Sequence, residues 1–152
     1  MNGMKPVKLK SVFTTDYCSA REASSYLSTP HIWISIGNSD SDTFEPWLSE
    51  NENRKAHLHV NFYDTDARLM QGGFHPRQAK QIIDFVVEHT DENTVVMVNC
   101  MAGVSRSAGV AAALTKLACQ SDNEFFKQST PNMLVYRTML EVGMKMLDET
   151  TL

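Results

Sequence analysis

Two stretches in the first half of the chain carry apolar side chains at every second position. The segment from His31 to Gly37 (HIWISIG) has isoleucine at alternate positions, and Leu58, Val60 and Phe62 repeat the spacing further along. Successive side chains of an extended strand point to opposite faces, so this period of two puts the apolar ones on one face. Both stretches are therefore predicted to be β-strands.

A third apolar stretch shows no polar alternation. The run from Val95 to Val98 (VVMV) is apolar throughout, which is typical of a central strand covered by helices on both faces. An earlier strand is predicted at Val7 to Phe13, followed by a helix from Ala20 to Leu27. The sheet is thus predicted to hold about four to five strands.

Helical periodicity separates the predicted strands. From Phe74 to His89 apolar side chains recur along one helix face, and Pro76 stands where a first helical turn tolerates proline. The apolar row consists of Ala79, Ile82, Ile83 and Val86. After Asn99 the pattern is helical, with a break at Ser129 to Pro131. Strands that alternate with helices predict an α/β fold, in which a central, mostly parallel sheet is flanked by helices.

Composition favours a single domain that covers residues 1–152. Hydrophobic residues make up 42% and charged residues 21% of the 152, which are ordinary globular values, and a chain of this length can bury a sufficient core unaided. No apolar run is long enough to cross a bilayer, and Met1 to Lys10 lacks the apolar segment of a secretory signal. The formal net charge of -4 disfavours nucleic acid or an anionic membrane as a partner.

Thiol and imidazole side chains give no sign of a metal site. Cys18, Cys100 and Cys119 lie far apart and form no Cys-x-x-Cys pair, so neither a disulfide framework nor a thiolate metal site is indicated. We therefore expect a reducing, cytoplasmic location. His57 and His59 have the spacing of a metal-binding pair on a strand, but no third ligand accompanies them. We expect no metal and no other cofactor.

The segment after the apolar strand carries the candidate chemistry. It reads NCMAGVSRS from Asn99 to Ser107 and leads into Ala108 to Leu117, whose alanine-rich composition favours a helix. Unpaired backbone N–H groups and aligned peptide dipoles at the start of a helix bind a tetrahedral oxyanion. The residues expected to cradle phosphate are Met101, Ala102, Gly103, Val104, Ser105 and Arg106.

Four residues of this loop suit phosphoryl transfer. Cys100 stands at the start of the loop, where the helix field favours the nucleophilic thiolate over the thiol. Arg106 has a planar fork that can donate two parallel hydrogen bonds to phosphate oxygens. Gly103 gives the loop backbone freedom to turn inward. The hydroxyl of Ser107 can donate a hydrogen bond to the cysteine sulfur when that sulfur leaves a phosphoenzyme.

The stretch VVMVNCMAGVSRSAGVAAAL resembles the signature loop and following helix of the protein tyrosine phosphatase superfamily, in its compact dual-specificity-like branch. The resemblance extends more loosely to the helix at Phe74 to His89 and to Asn132 to Arg137 (NMLVYR). It implies a central, mostly parallel sheet flanked by helices, in agreement with the pattern above. It also implies a tyrosine- or dual-specificity-type phosphatase that acts on phosphorylated proteins through a phosphocysteine on Cys100. The oligomeric state is not indicated.

The resemblance further implies a general acid on the loop that precedes the crossover helix. In this chain the loop runs from Phe62 to Asp66 (FYDTD) and contains two aspartates. We favour Asp64, whose carboxyl group would protonate the leaving oxygen and then activate the water that hydrolyses the phosphocysteine. Asp66 remains the alternative.

The chain departs from the family pattern at Asn99, because the family usually has histidine immediately before the nucleophile. Asparagine can hold the loop by hydrogen bonds to the backbone, but it cannot carry a positive charge. One alternative function is therefore a catalytically weak, phosphate-binding pseudophosphatase. Another is an RNA 5'-triphosphatase or a phosphoinositide phosphatase with the same loop, although the loop offers no lysine for a multiply charged substrate.

Overall fold

The computed structural model describes residues 3, 5–39, 48–68 and 70–148, which form four strands and five helices. The strands are β1 (Ser11–Thr15), β2 (His31–Gly37), β3 (Arg54–Asn61) and β4 (Val95–Asn99). The helices are α1 (Tyr17–Tyr26), α2 (Pro76–His89), α3 (Arg106–Leu117), α4 (Asn123–Gln128) and α5 (Met133–Met146). None of these helices is long and apolar enough to cross a membrane.

All four strands pair in parallel, in the order β1-β4-β2-β3. Strand β4, which was predicted from its continuous apolar run, lies in the interior of the sheet. Its central residue Met97 is paired with Phe13 of β1 and with Trp33 of β2. The predicted α/β fold with a parallel sheet flanked by helices is therefore confirmed.

The first strand and the first helix begin at other residues than predicted. The strand predicted at Val7 to Phe13 begins only at Ser11, because the Val7 N–H donates to Leu117 O at the end of α3, 3.0 Å away, instead of pairing with a strand. Val7 is nevertheless buried, which accounts for the strand-like alternation. Helix α1 begins at Tyr17 rather than Ala20, because the Asp16 carboxylate caps its first turn.

The sheet buries a different set of side chains on each face. One face packs against α2, α3 and α5, and its core includes Ile32, Ile34, Val96 and Val98. The other face packs against α1 through the smaller cluster of Ala20, Trp33, Val95 and Met97. Coverage on both faces explains why β2 and β4 are buried at every residue.

Glycines occupy the contact between helices α3 and α5. A Cβ at Gly109 would lie 2.8 Å from Asn132 O, and a Cβ at Gly143 would lie 2.6 Å from Leu117 Cδ1. Every residue of α3 except Lys116 is buried. The alanine-rich composition of this helix therefore reflects a narrow space between sheet and α5 as much as helix propensity.

Parallel pairing brings the carboxyl ends of the four strands to one edge of the sheet. The segments that leave this edge begin at Asp16, Asn38, Phe62 and Cys100. In open α/β sheets ligands bind at this edge, so the loop from Cys100 to Ser105 lies where a site is expected.

His31 is a fully buried histidine at the start of β2. Its Nδ1 lies 2.9 Å from Thr29 O and must carry the proton in that hydrogen bond, while Nε2 has no partner among the described residues. Burial lowers the pKa of His31 below its ordinary value of 6.5, because it penalises the charged ring. The folded protein therefore holds a neutral imidazole where the unfolded chain takes up a proton.

Protonation of His31 is expected to couple the stability of the fold to pH. Below pH 6.5 the unfolded chain binds a proton that the folded state resists, so the free energy of unfolding should fall as pH decreases from 6.5. Urea unfolding at neutral and at mildly acidic pH should show a larger loss for the wild type than for His31→Gln. Equal losses in the two proteins would assign the pH dependence to other groups.

Candidate active site

The loop between β4 and α3 surrounds the sulfur of Cys100. This side chain is buried, and its Sγ lies 3.1 Å from Ser107 Oγ. The backbone N–H of Gly103 donates to the same sulfur, with N and Sγ 3.3 Å apart. An amide and a hydroxyl thus converge on Sγ, and both can donate to it when it is a thiolate.

Gly103 permits the turn that brings the loop back over the sulfur. Its φ is 75°, in the left-handed region that side chains disfavour. A Cβ at this position would also lie 2.7 Å from the carbonyl carbon of Thr15 and from Asp16 N. The loop is fixed to α1 as well, because the Tyr17 N–H donates to Met101 O at 3.1 Å. Glycine is therefore required both by the conformation and by the contact with the end of β1.

Arg106, the first residue of α3, turns its side chain toward the ends of two strands. It is buried, and Nη1 donates to Gly37 O at 3.1 Å, to Asn38 Oδ1 at 2.9 Å and to Phe62 O at 2.8 Å. Its Nε and Nη2 donate to no other described residue. One guanidinium nitrogen therefore anchors the loop, and two are left to meet an anion.

A narrow cleft opens beside Arg106. Its enclosed volume is about 10 Å³, and its lining includes Tyr17, Asn38 and Met101. A cavity needs ~10–15 Å³ of such space to hold a single water, so the cleft does not enclose a phosphate. An anion would have to rest on the loop from the solvent side.

The N-terminus of α3 keeps its first amides uncapped. Serine at an N-cap position usually accepts a hydrogen bond from the first turn, but the hydroxyl of Ser105 makes no such bond. It donates instead to Asp64 Oδ1 at 2.7 Å. The first-turn N–H groups therefore have no side-chain acceptor within the cap, and the helix dipole points toward the loop.

Asp64 is the aspartate that the fold brings to this loop. Its Oδ1 accepts hydrogen bonds from Ser105 Oγ at 2.7 Å and from Asn132 Nδ2 at 2.8 Å. Asp66 is exposed and makes no hydrogen bond or ion pair with any described residue. Of the two carboxylates that the sequence left open, the geometry favours Asp64.

Asn132 is a site residue that the sequence did not single out. It caps α5 through Oδ1, which accepts from the Val135 N–H at 3.1 Å. Its backbone N–H donates to Ser105 O at 3.0 Å, and Nδ2 donates to Asp64 and to Thr65 O. The position of asparagine between Pro131 and a helical pattern could have indicated the cap, but it carried no sign of the contact with Asp64.

The sequence suggested that Asn99 forms hydrogen bonds to the backbone. In the structure its oxygen accepts a hydrogen bond from a side chain instead. The indole Nε1 of Trp33 donates to Asn99 Oδ1 at 2.9 Å, and both residues are buried. Asn99 Nδ2 has no partner among the described residues. Trp33 therefore fixes the residue that precedes Cys100 through a neutral hydrogen bond.

The histidine pair of β3 includes one ring that lies next to a serine of β2. His57 Nε2 lies 2.9 Å from Ser35 Oγ, and the part of the chain that the structure describes contains no cluster of three metal-binding side chains. All three cysteines, Cys18, Cys100 and Cys119, are free.

Comparison with known proteins finds similarity in structure but not in sequence. No protein-family model and no curated protein matches the chain. The human tyrosine phosphatase-like serine/threonine/tyrosine-interacting protein superposes with a TM-score of 0.61 at 17% identity, over 90% of this chain and 93% of that chain. Human DUSP28 superposes with a TM-score of 0.54 at 16% identity, over 89% of this chain and 92% of that chain. PTPMT1 in complex with PI(5)P superposes with a TM-score of 0.55 at 12% identity, over 95% of this chain and 96% of that chain.

These superpositions establish the fold. The chain has the compact architecture of dual-specificity phosphatases and of PTPMT1, and it matches such structures along nearly their whole length. The fold implied by the signature loop is therefore confirmed.

The Trp33–Asn99 hydrogen bond should contribute about 0.5–1.5 kcal/mol to stability. Asn99→Leu should therefore lower the free energy of unfolding less in a Trp33→Phe background than in the wild type, because the bond is already lost there. Urea unfolding of the wild type, both single variants and the double variant measures this coupling. Additive losses would show that the bond contributes nothing to stability.

Proposed function

We propose that this protein is a cysteine-dependent phosphatase that hydrolyses phosphomonoesters on phosphorylated proteins, of the tyrosine or dual-specificity type. The observation that carries the proposal is the convergence of four groups at the carboxyl edge of the sheet. These groups are the Cys100 sulfur, the guanidinium of Arg106, the uncapped N-terminus of α3 and the Asp64 carboxylate. Together they supply a nucleophile, an anion cradle and a proton donor.

In the first step the Cys100 thiolate attacks phosphorus. An S–P bond forms while the P–O bond to the leaving oxygen breaks, and Asp64 gives that oxygen a proton. Negative charge on the equatorial phosphate oxygens is met by the free nitrogens of Arg106 and by the loop amides, which are fixed before the substrate arrives. The three acceptors on Nη1 keep the guanidinium from turning away.

In the second step water hydrolyses the phosphocysteine. Asp64, now ionised, takes a proton from the attacking water as a P–O bond forms and the S–P bond breaks. The departing thiolate receives a hydrogen bond from Ser107, whose Oγ lies 3.1 Å from Sγ. The enzyme returns to its starting state with Asp64 protonated and Cys100 as thiolate.

The rim of the loop favours a substrate with one phosphate on an uncharged group. Met101 and Val104 are 46% and 45% exposed, and Ala102 between them is also exposed. An apolar rim suits a phosphorylated side chain such as phosphotyrosine, whose ring can pack on it. PTPMT1 has been crystallised with PI(5)P, but the loop of this chain offers no lysine for a further phosphate. Because the nucleophile must stay reduced, we place the activity in the cytoplasm.

Cys100→Ser should lower turnover of a phosphotyrosine peptide by several orders of magnitude, because a hydroxyl is a far poorer nucleophile than a thiolate. Binding of the peptide should persist, since the amide cradle and Arg106 are unchanged. Phosphate release and peptide affinity, measured on the wild type and the variant, check both expectations. Cys18→Ser is the matched control, because Cys18 is exposed on α1.

The same release assay should include phosphoserine peptide, PI(5)P vesicles and 5'-triphosphorylated RNA. If the lipid or the RNA is turned over faster than the phosphopeptides in a Cys100-dependent manner, then that compound and not protein is the substrate class. Tight peptide binding by a wild type that releases no phosphate would favour the pseudophosphatase.

Asp64→Asn should lower kcat about 100-fold or more on phenyl phosphate, whose leaving group needs protonation. The loss should be much smaller on a dinitrophenyl phosphate, whose leaving group departs as a stable anion. Asp66→Asn makes the same chemical change two residues away and should leave both rates near wild type. The reverse pattern would assign the acid to Asp66.

A further inference from the structure

The two oxygens of the Asp64 carboxylate have different surroundings. Oδ1 accepts from the hydroxyl of Ser105 and from the side-chain amide of Asn132, at 2.7 and 2.8 Å. Oδ2 receives no hydrogen bond from any described residue. Oδ1 therefore has both its lone pairs engaged, and a proton on the carboxyl group belongs on Oδ2.

Asn132 uses every polar group it has to join three segments at this point. Its backbone N–H donates to Ser105 of the loop 100–105, here called the phosphate loop. Its Nδ2 donates to Asp64 and to Thr65 O of the segment 62–66, here called the acid loop, and its Oδ1 accepts from the first turn of α5. Asn132 itself is 7% exposed, whereas Asp64 lies at the surface. The acid loop and the phosphate loop are thereby fixed to one side chain.

We propose that Asn132 is a positioning residue for the general acid. Its amide, together with the hydroxyl of Ser105, orients Asp64 so that Oδ2 carries the proton to the leaving oxygen and later receives the proton of the attacking water. This proposal rests on the proposed phosphatase function. It adds which oxygen performs the transfer and which side chains hold it in place.

If Asn132 had only a structural role as the cap of α5, it would need fewer hydrogen bonds than it makes. Capping of α5 requires only Oδ1, because the cap is an acceptor for the Val135 N–H. The donation from Nδ2 to Asp64 contributes nothing to that cap. Ser105 behaves in the same way, since its hydroxyl leaves the N-terminus of α3 uncapped and binds Asp64 instead.

Asn132→Ser separates the two roles. Serine is as good an N-cap as asparagine, so α5 keeps its first turn, but the amide that reaches Asp64 is lost. We expect kcat to fall about 10- to 100-fold on phenyl phosphate and less than about threefold on dinitrophenyl phosphate, with KM for both within about threefold of wild type. Asn123→Ser makes the same change at the exposed start of α4 and should leave all these values unchanged.

The double variant Asp64→Asn/Asn132→Ser tests whether the two residues act through one step. With the acid already removed, Asn132→Ser should cost nothing further on phenyl phosphate. An additional 10-fold loss there, or equal losses on both substrates in the single variant, would overturn the proposal. Unchanged kinetics in the single variant would overturn it as well.

Ser105→Ala keeps the proposal testable if Asn132→Ser does not fold, as judged by its thermal unfolding. This substitution removes the other donor to Oδ1 without removing a helix cap, and the same leaving-group contrast is expected. If the wild type itself shows no Cys100-dependent turnover, the proposed function fails and the positioning role fails with it. If the wild type turns over normally but the variants show no contrast between leaving groups, the positioning role alone is wrong.

Discussion

The site depends on a buried guanidinium that is held by neutral oxygens. Arg106 Nη1 bonds to two backbone carbonyls and one amide oxygen, and no described carboxylate forms an ion pair with the side chain. A buried charge is costly unless it is hydrogen-bonded, and these three acceptors satisfy the inner edge of the guanidinium. Because they are uncharged, the positive charge is not neutralised. A protein with a net charge of -4 thus keeps one locally cationic point for an anion.

The same interaction explains why three separate segments meet at the loop. The acceptors belong to the end of β2, the residue after it and the residue after β3, so binding them fixes the spacing of two strand ends against the start of α3. The acid loop continues directly from Phe62. The position of Asp64 above the phosphate loop therefore follows from the anchoring of Arg106 as well as from its own hydrogen bonds.

Local pattern predicted the elements, whereas contacts between distant residues escaped it. The bounds of β2 agree with the sequence prediction, and Pro76 begins α2, because periodicity and turn residues act within a few positions. The bond from Trp33 to Asn99 spans 66 positions and that from Asn132 to Asp64 spans 68. No property of either residue alone reveals such a partner, so the position of the loop could be predicted from the sequence but its supports could not.

The asparagine before Cys100 is matched by a tryptophan on the neighbouring strand. An indole N–H can only donate, so it needs an acceptor at position 99, and the amide oxygen of Asn99 provides one without a titratable group. The support of the loop is therefore insensitive to pH over the range in which an imidazole would change charge. The side-chain nitrogen of Asn99, Nδ2, has no hydrogen-bond acceptor among the described residues.

The glycine at position 109 limits which substitutions the contact between α3 and α5 can accept. Its missing side chain lets the backbone of α3 approach Asn132, and a Cβ there would lie 2.8 Å from Asn132 O. Any larger residue would increase the distance between the axes of α3 and α5 and carry Asn132 away from Asp64. Residues on the rim, such as Met101 and Val104, bear no such constraint. The rim can therefore vary in sequence, whereas the spacing of the two helices depends on this glycine.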